Sequence, residues 1–241
     1  MLETAIALYT AHLIADFILQ PGWMVAQKKR PAIMALHIII VIATTIIVAG
    51  TIAWLPLLII GAVHLIIDVW KQIFGGQKLA GFIIDQCAHL LSVVIVAMVF
   101  PGIFTDGLWE NVSMQIEGFD GMLAQYPTIL AIFSGLIVTL RMGGFAIGLF
   151  IDRFNYQPDE DDAGLENGGL YIGLLERAMI FLLVMVDQVA GIGFLVAAKS
   201  ILRFGASQDR KTGEYVIVGT LASFIWALTA AFATRAVISL I

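Results

Sequence analysis

Long apolar runs separated by short polar breaks dominate the chain. They cover about 2–20, 32–50, 52–70, 82–100, 128–150, 169–187, 189–203 and 215–240. Most have the ~20 residues that a helix rising about 1.5 Å per residue needs to cross ~30 Å of hydrocarbon. The breaks hold turn formers and charge, such as Lys28-Lys29-Arg30-Pro31, Gly75-Gly76 and Pro101-Gly102. The pattern predicts an all-α polytopic membrane helical bundle with about eight (seven to eight) transmembrane segments. The seventh run, Val189–Arg203, is short for a span. It reads as a re-entrant hairpin, as a short pass, or as the end of one long tilted helix begun by the sixth run.

Composition agrees with the pattern. Of 241 residues, 60% are hydrophobic and 13% charged, and the mean hydropathy is +0.97. Soluble domains carry about 25% charged residues, so too little polar surface is available to cover this chain in water. The single cysteine, Cys87, excludes an intrachain disulfide. The first run contains His12 and Asp16 and has no basic leader or small-residue cleavage site, so it reads as a retained helix and not a signal peptide. No basic, aromatic-interleaved stripe exists outside the apolar runs, so nucleic acid is not an expected partner. Membrane lipids are, and the oligomeric state is left open.

Charge placement predicts orientation. Residues 1–100 form a four-helix half; 101–126 is an acidic connection with Asp106, Glu110, Glu117 and Asp120 and no Lys or Arg; 127–241 is a second membrane half with basic residues near one side. With eight passes, the loops bearing Lys28–Arg30, Lys71 with Lys78, Arg153, and Arg203 to Lys211 all fall on one side, the cytoplasmic one. The bare 101–126 loop and both termini then lie outside. The run Asp159-Glu160-Asp161-Asp162 reads as a solvated loop. Trp54, Trp70 and Trp109 fall near expected interfaces.

Ionisable residues inside the runs change the picture from a membrane protein to one with candidate chemistry. All four histidines, His12, His37, His64 and His89, lie in the first four runs, one in each. Three have an aspartate four residues away: His12 with Asp16, His64 with Asp68, and Asp85 with His89. Residues at that spacing share a helix face. Counted from the ends of the runs, the four histidines sit roughly 9–12 Å below the cytoplasmic edge. The aspartates are nearer that edge, in both helix directions.

Ionisable groups in hydrocarbon are costly and mark function or partners. A divalent metal, Zn first with Mn or Fe as alternatives, would resolve the cost of His12, Asp16, His64, Asp68, Asp85 and His89 together, as one ion or two. His37 is a further ligand or an acid/base, and one aspartate, Asp85, is a candidate base. Single membrane histidines more often serve as interhelical hydrogen-bonding groups, and His-Asp pairs also build proton relays. In the second half, Arg141, Arg177 and Lys199 are candidate substrate-binding cations for a phospholipid or other anionic lipid. Their bland reading is an ion pair with Glu176 plus snorkelling.

The opening His12-Leu-Ile-Ala-Asp16-Phe-Ile-Leu-Gln20 and the late Gly193 to Gly205 and Arg210 to Leu221 stretches resemble an uncharacterised family of bacterial inner-membrane proteins, a domain of unknown function. The resemblance implies a multi-pass protein of the bacterial cytoplasmic membrane and names no substrate. The His/Asp pattern is also similar to that of membrane-bound metal-dependent hydrolases. The leading expectation is a metal-dependent membrane hydrolase or lipid-modifying enzyme acting near the cytoplasmic leaflet. The alternatives are a divalent-cation transporter, and a non-catalytic membrane scaffold or metal sensor.

Overall fold

The computed structural model describes residues 1–76, 78–116, 119–154, 167–203 and 210–241, with the side chains of Phe119, Leu202, Arg203 and Arg210 excepted. The acidic run Asp159–Asp162, Glu117 and the side chain of Arg203 therefore lie outside the described residues. Every element is helical: α1 Leu2–Phe17, α2 Gly22–Ala26, α3 Pro31–Ala49, α4 Trp54–Trp70, α5 Leu79–Val99, α6 Leu108–Ser113, α7 Phe119–Ile137, α8 Gly143–Asp152, α9 Gly168–Met185, α10 Ala190–Arg203 and α11 Arg210–Ile238. A π turn, Lys71–Gly75, ends α4, and a second, Val138–Met142, joins α7 to α8. The molecule is an all-α polytopic bundle, as the apolar runs predict.

The number of spans differs from the expected eight. Among the described residues, six helices are long and apolar enough to cross a membrane: 31–49, 54–75, 79–99, 120–152, 168–185 and 211–238. The first and seventh runs fall short. α1 has 16 residues, about 24 Å of helix, and stops before Pro21 instead of reaching residue 20. α10 has 14 residues. The chain turns between α9 and α10, where Asp187 adopts φ 60°, so the sixth and seventh runs are not one tilted helix. Arg235 fixes that turn, donating to Asp187 Oδ1 at 2.7 Å and to the Val184 carbonyl at 3.1 Å; a cation there also suits the carbonyl end of α9. The fifth run differs as well. Its helix begins at Phe119 and carries Pro127 inside it, which a membrane helix tolerates when neighbours satisfy the freed backbone.

The chain divides into two compact units, residues 1–137 with 237–241, and residues 138–236. In the first, α1 is the inner helix. It packs on α3, α5 and α7, and Ala7, Ala11 and Ala15 are fully buried at a four-residue spacing that lets helix backbones approach closely. Hydroxyls tie the helices together. Thr10 Oγ lies 2.7 Å from Ser134 Oγ, and Thr4 donates to the Pro101 carbonyl at 2.6 Å. The apolar core gathers Ile6, Leu8, Val48, Val93, Val96 and Leu130 towards one end of the unit. The polar layer described below occupies the other end.

In the second unit the π turn leaves backbone carbonyls open to side chains. Trp226 Nε1 donates to Val138 O at 2.9 Å and Arg177 to Leu140 O at 3.3 Å. Gly144 and Gly173 lie against the Arg177 guanidinium: a Cβ at 173 would crowd it at 3.1 Å and one at 144 would touch it at 3.4 Å.

Candidate metal centre

Four helices of the first unit each deliver a histidine, and three of them an aspartate, to one buried layer. α1 carries His12 and Asp16, α3 His37, α4 His64 and Asp68, and α5 Asp85 and His89. All four imidazoles, Asp68 and Asp85 are buried, and the Asp16 side chain is only 8% exposed. The reversed order in α5 follows from its direction, so that each carboxylate approaches the layer from the same end as the others.

The tightest group has four donors. His37 Nε2 and His64 Nε2 lie 3.0 Å apart. Asp16 Oδ1 is 3.3 Å from the first and 3.4 Å from the second. Asp68 Oδ2 is 3.6 and 3.5 Å from the same two nitrogens. Ligands held about 2.0–2.2 Å from a tetrahedral ion stand roughly 3.3–3.6 Å from one another. The five separations that involve an imidazole, 3.0 to 3.6 Å, bracket that range, and the donors that all lie within 4.8 Å of one another are those of Asp16, His37 and His64.

Beside it, His12 stacks on His89 with ring centroids 4.5 Å apart and planes at 20°. Donor atoms of His12, His64 and His89 lie within 4.8 Å of one another, as do those of Asp68, Asp85 and His89. A cavity of about 20 Å³ is lined by these three histidines together with Leu8, Val41 and Val93, among others; that volume holds about one water.

Two lysines complete the layer. Lys28, buried in the short connection before α3, donates to Asp68 Oδ1 at 2.7 Å. Lys71, on the π turn, donates to Asp85 Oδ2 at 2.6 Å, and Gln86 donates to the same oxygen at 3.0 Å. Each carboxylate thus spends one oxygen on a lysine and keeps the other, Asp68 Oδ2 or Asp85 Oδ1, without a hydrogen-bond partner. Among the described residues, nine buried side-chain nitrogen or oxygen atoms lack such a partner. Seven belong to this layer: both ring nitrogens of His12, Asp16 Oδ1, His37 Nδ1, Asp68 Oδ2, Asp85 Oδ1 and His89 Nε2. A buried unsatisfied polar group costs about 1–3 kcal/mol, so seven such atoms in one layer could receive a shared cation.

The seven ligand candidates named from the sequence share this layer; Lys28 and Lys71, read from the sequence only as markers of the cytoplasmic side, join it. Lys71 follows Asp68 by three residues, a spacing that places it on the same helix face and was the one local signal available. Lys28 reaches Asp68 across forty residues of sequence, which no local pattern encodes.

The second-half cations separate. Arg177 and Lys199 line a recess of about 430 Å³ with Glu176, Ser223 and Thr220. Arg141 is not among its lining residues and is exposed, so the three do not form one anion clamp. Arg141 lies in the π turn between α7 and α8, where its azimuth turns it outwards. Lys199 pairs with Glu176 at 2.6 Å, and Arg177 donates to Ser223 Oγ at 3.2 Å while its Nε has no partner.

A family model described as "Protein of unknown function (DUF3307)" matches residues 5–113. That stretch holds all seven His/Asp donors and both lysines; the late motif from Gly193 lies beyond it. No curated protein and no solved structure matches the chain.

Proposed function

We propose that this chain is a metal-dependent enzyme of the membrane, a hydrolase or lipid-modifying enzyme, built around a divalent cation held by Asp16, His37, His64 and Asp68. One observation carries the reading: two imidazole nitrogens 3.0 Å apart, each with an Asp16 and an Asp68 oxygen at 3.3 to 3.6 Å, from three different helices, the donors of Asp16, His37 and His64 all lying within 4.8 Å of one another. Two nitrogen and two oxygen donors suit Zn²⁺, with Mn²⁺ or Fe²⁺ as alternatives. Because His37 Nε2 faces the other three donors, His37 is a ligand in this reading and not a free acid/base.

The lysines support it. Lys28 fixes Asp68 and Lys71 fixes Asp85, each orienting the carboxylate so that its free oxygen points inward, as partners of metal ligands do. Their two charges also offset part of the negative charge of three buried aspartates. An ion held by Asp16, His37, His64 and Asp68 would supply Lewis-acid chemistry, lowering the pKa of a bound water and polarising a phosphoryl or acyl oxygen. The water-sized cavity against His12, His64 and His89 is the observation that favours hydrolysis over a purely structural ion. The charge pattern of Lys28, Lys29, Arg30, Lys71 and Lys78 supports a layer near the cytoplasmic leaflet.

Metal analysis of the full chain, purified in detergent without chelators, tests the proposal. One to two transition-metal ions per chain are expected, with loss in His64→Ala and Asp68→Asn. Release of headgroup or acyl chain from phospholipid in mixed micelles should then depend on the same residues. Protein free of transition metal would sink the reading; so would metal uptake into proteoliposomes that needs His64 while no lipid is cleaved.

A further inference from the structure

The recess of about 430 Å³ in the second unit holds a buried charge that its protein neighbours do not cancel. Four charged side chains line it: Asp152, Glu176, Arg177 and Lys199. Glu176 and Lys199 pair at 2.6 Å, and Asp152 is exposed. Arg177 is only 5% exposed, and among the described residues no carboxylate forms an ion pair with it. A guanidinium has five N–H donors. One of them goes to Ser223 Oγ and one to the Leu140 carbonyl, both neutral acceptors, while Nε has no partner. The charged end lies among the lining residues themselves. Ser223 accepts from it, and Cβ positions at Gly144 and Gly173 fall 3.4 and 3.1 Å from its terminal nitrogens. Burying a cation without a counter-charge is costly.

Glycine makes the space beside it. Gly144, Gly148, Gly169, Gly173 and Gly219 all line the recess, and a Cβ at 148 or 169 would meet nothing within 4 Å. Apolar side chains adjoin the charges: Ile147, Ile151, Leu170 and Ile172. Leu170 and Ile172 are 60% and 46% exposed on α9, a helix long and apolar enough to cross a membrane. The recess therefore continues onto a surface suited to hydrocarbon.

We infer that this recess binds one anionic phospholipid of the bilayer, with its phosphodiester on the Arg177 guanidinium and an acyl chain along Ile147, Ile151, Leu170 and Ile172. A phosphodiester carries one negative charge, which matches the one uncompensated cation, and guanidinium N–H groups suit phosphate oxygens. The volume falls within the roughly 300–1,000 Å³ of small-molecule sites, enough for a headgroup and the start of a chain. The exposed apolar wall favours a membrane lipid over free phosphate, which would gain nothing from it. Arg141, exposed and outside the lining, takes no part. The inference concerns the second unit by itself and does not depend on a metal in the first.

Native mass spectrometry of the full chain, delipidated in detergent and then incubated with phosphatidylglycerol, tests it. One phosphatidylglycerol per chain should be retained. Diacylglycerol with the same acyl chains should not be, and excess inorganic phosphate should not displace the phospholipid. Arg177→Gln should weaken retention at least about tenfold, as loss of charged hydrogen bonds does. Gly148→Leu, which fills the recess and leaves the Arg177 bonds in place, should weaken it comparably, and Arg141→Gln should match wild type. Equal retention of diacylglycerol would overturn the phosphate contact, and displacement by inorganic phosphate would make this a free-anion site and overturn the lipid. Unchanged retention in Arg177→Gln or Gly148→Leu would place the lipid elsewhere, and no retention by wild type would remove the site altogether. The wild-type comparison of the two lipids decides the matter even where a variant does not fold.

Discussion

At the residue scale, Asp68 and Asp85 show how a buried carboxylate can be anchored by one oxygen and still offer the other. One oxygen of each is held by a lysine, Lys28 or Lys71, and the other points into the layer without a partner. Removing the lysine should therefore loosen the ligand and not abolish it. Lys28→Met, which keeps the buried stem, is expected to weaken metal binding about 10–100-fold, measured by competition with a chromophoric chelator. Asp68→Asn should do more, because it removes an anionic donor from the four-donor group and leaves the Lys28 ammonium buried without its counter-charge. Equal affinity in both variants and wild type would show that the lysines and Asp68 stand apart from any ion. The histidines and aspartates of this layer were legible in the sequence, since each is an ionisable residue inside an apolar run. The lysines were not, because a cation at a helix end is ordinarily a topology signal.

At the scale of elements, two glycines permit close approaches, one beside the layer and one at the far end of α3. A Cβ at Gly81 would run into the Gly75 carbonyl oxygen on the π turn. The turn that carries Lys71 can therefore approach the start of α5 only if residue 81 has no side chain. Gly81→Ala should push the turn away, separate Lys71 from Asp85 and lower metal affinity while the helical content stays unchanged, with circular dichroism as the check. Gly50 ends α3 at φ 64°, and a Cβ there would collide with the Trp109 indole, whose Nε1 donates to the Ile47 carbonyl at 3.1 Å. Gly50→Ala is expected to cost at least about 1 kcal/mol for the left-handed backbone alone, seen as a lower melting temperature in detergent. α5 also gives a direct test of orientation. Lys78→Cys and Asp106→Cys, each in a Cys87→Ser background, should be labelled by an impermeant maleimide from opposite faces of the membrane, Asp106→Cys from outside. Labelling of both from one face would refute α5 as a span.

At the scale of the molecule, binding energy and folding energy are linked. An ion that binds only the folded state adds about 2.7 kcal/mol when present at a hundred times its dissociation constant. Chelation of the purified protein should therefore lower its thermal stability, and readdition of Zn²⁺ should restore it. No change on stripping a metal shown to be present would mean that the layer is equally well satisfied without it. Membership of the membrane follows from sums along the chain: apolar content, run length and sparse charge are properties of segments, and neighbours do not alter them. The helical period likewise sufficed to pair His12 with Asp16, His64 with Asp68 and Asp85 with His89, because four residues make about one turn wherever the helix lies.

Those quantities are additive and local, so the sequence determined an all-helical membrane protein with a buried His/Asp layer in its first half. Tertiary structure alone decided which atoms meet. Whether His37 Nε2 faces His64 Nε2, whether Lys28 crosses to Asp68, and whether Arg141 turns outwards while Arg177 turns in, all depend on the rotation of each helix about its axis and on rotamers fixed by packing. The span count was settled the same way. α1 stops at Phe17 and buries most of its faces against α3, α5 and α7; its length and surroundings come from the helices around it, which hydropathy read along one chain does not contain.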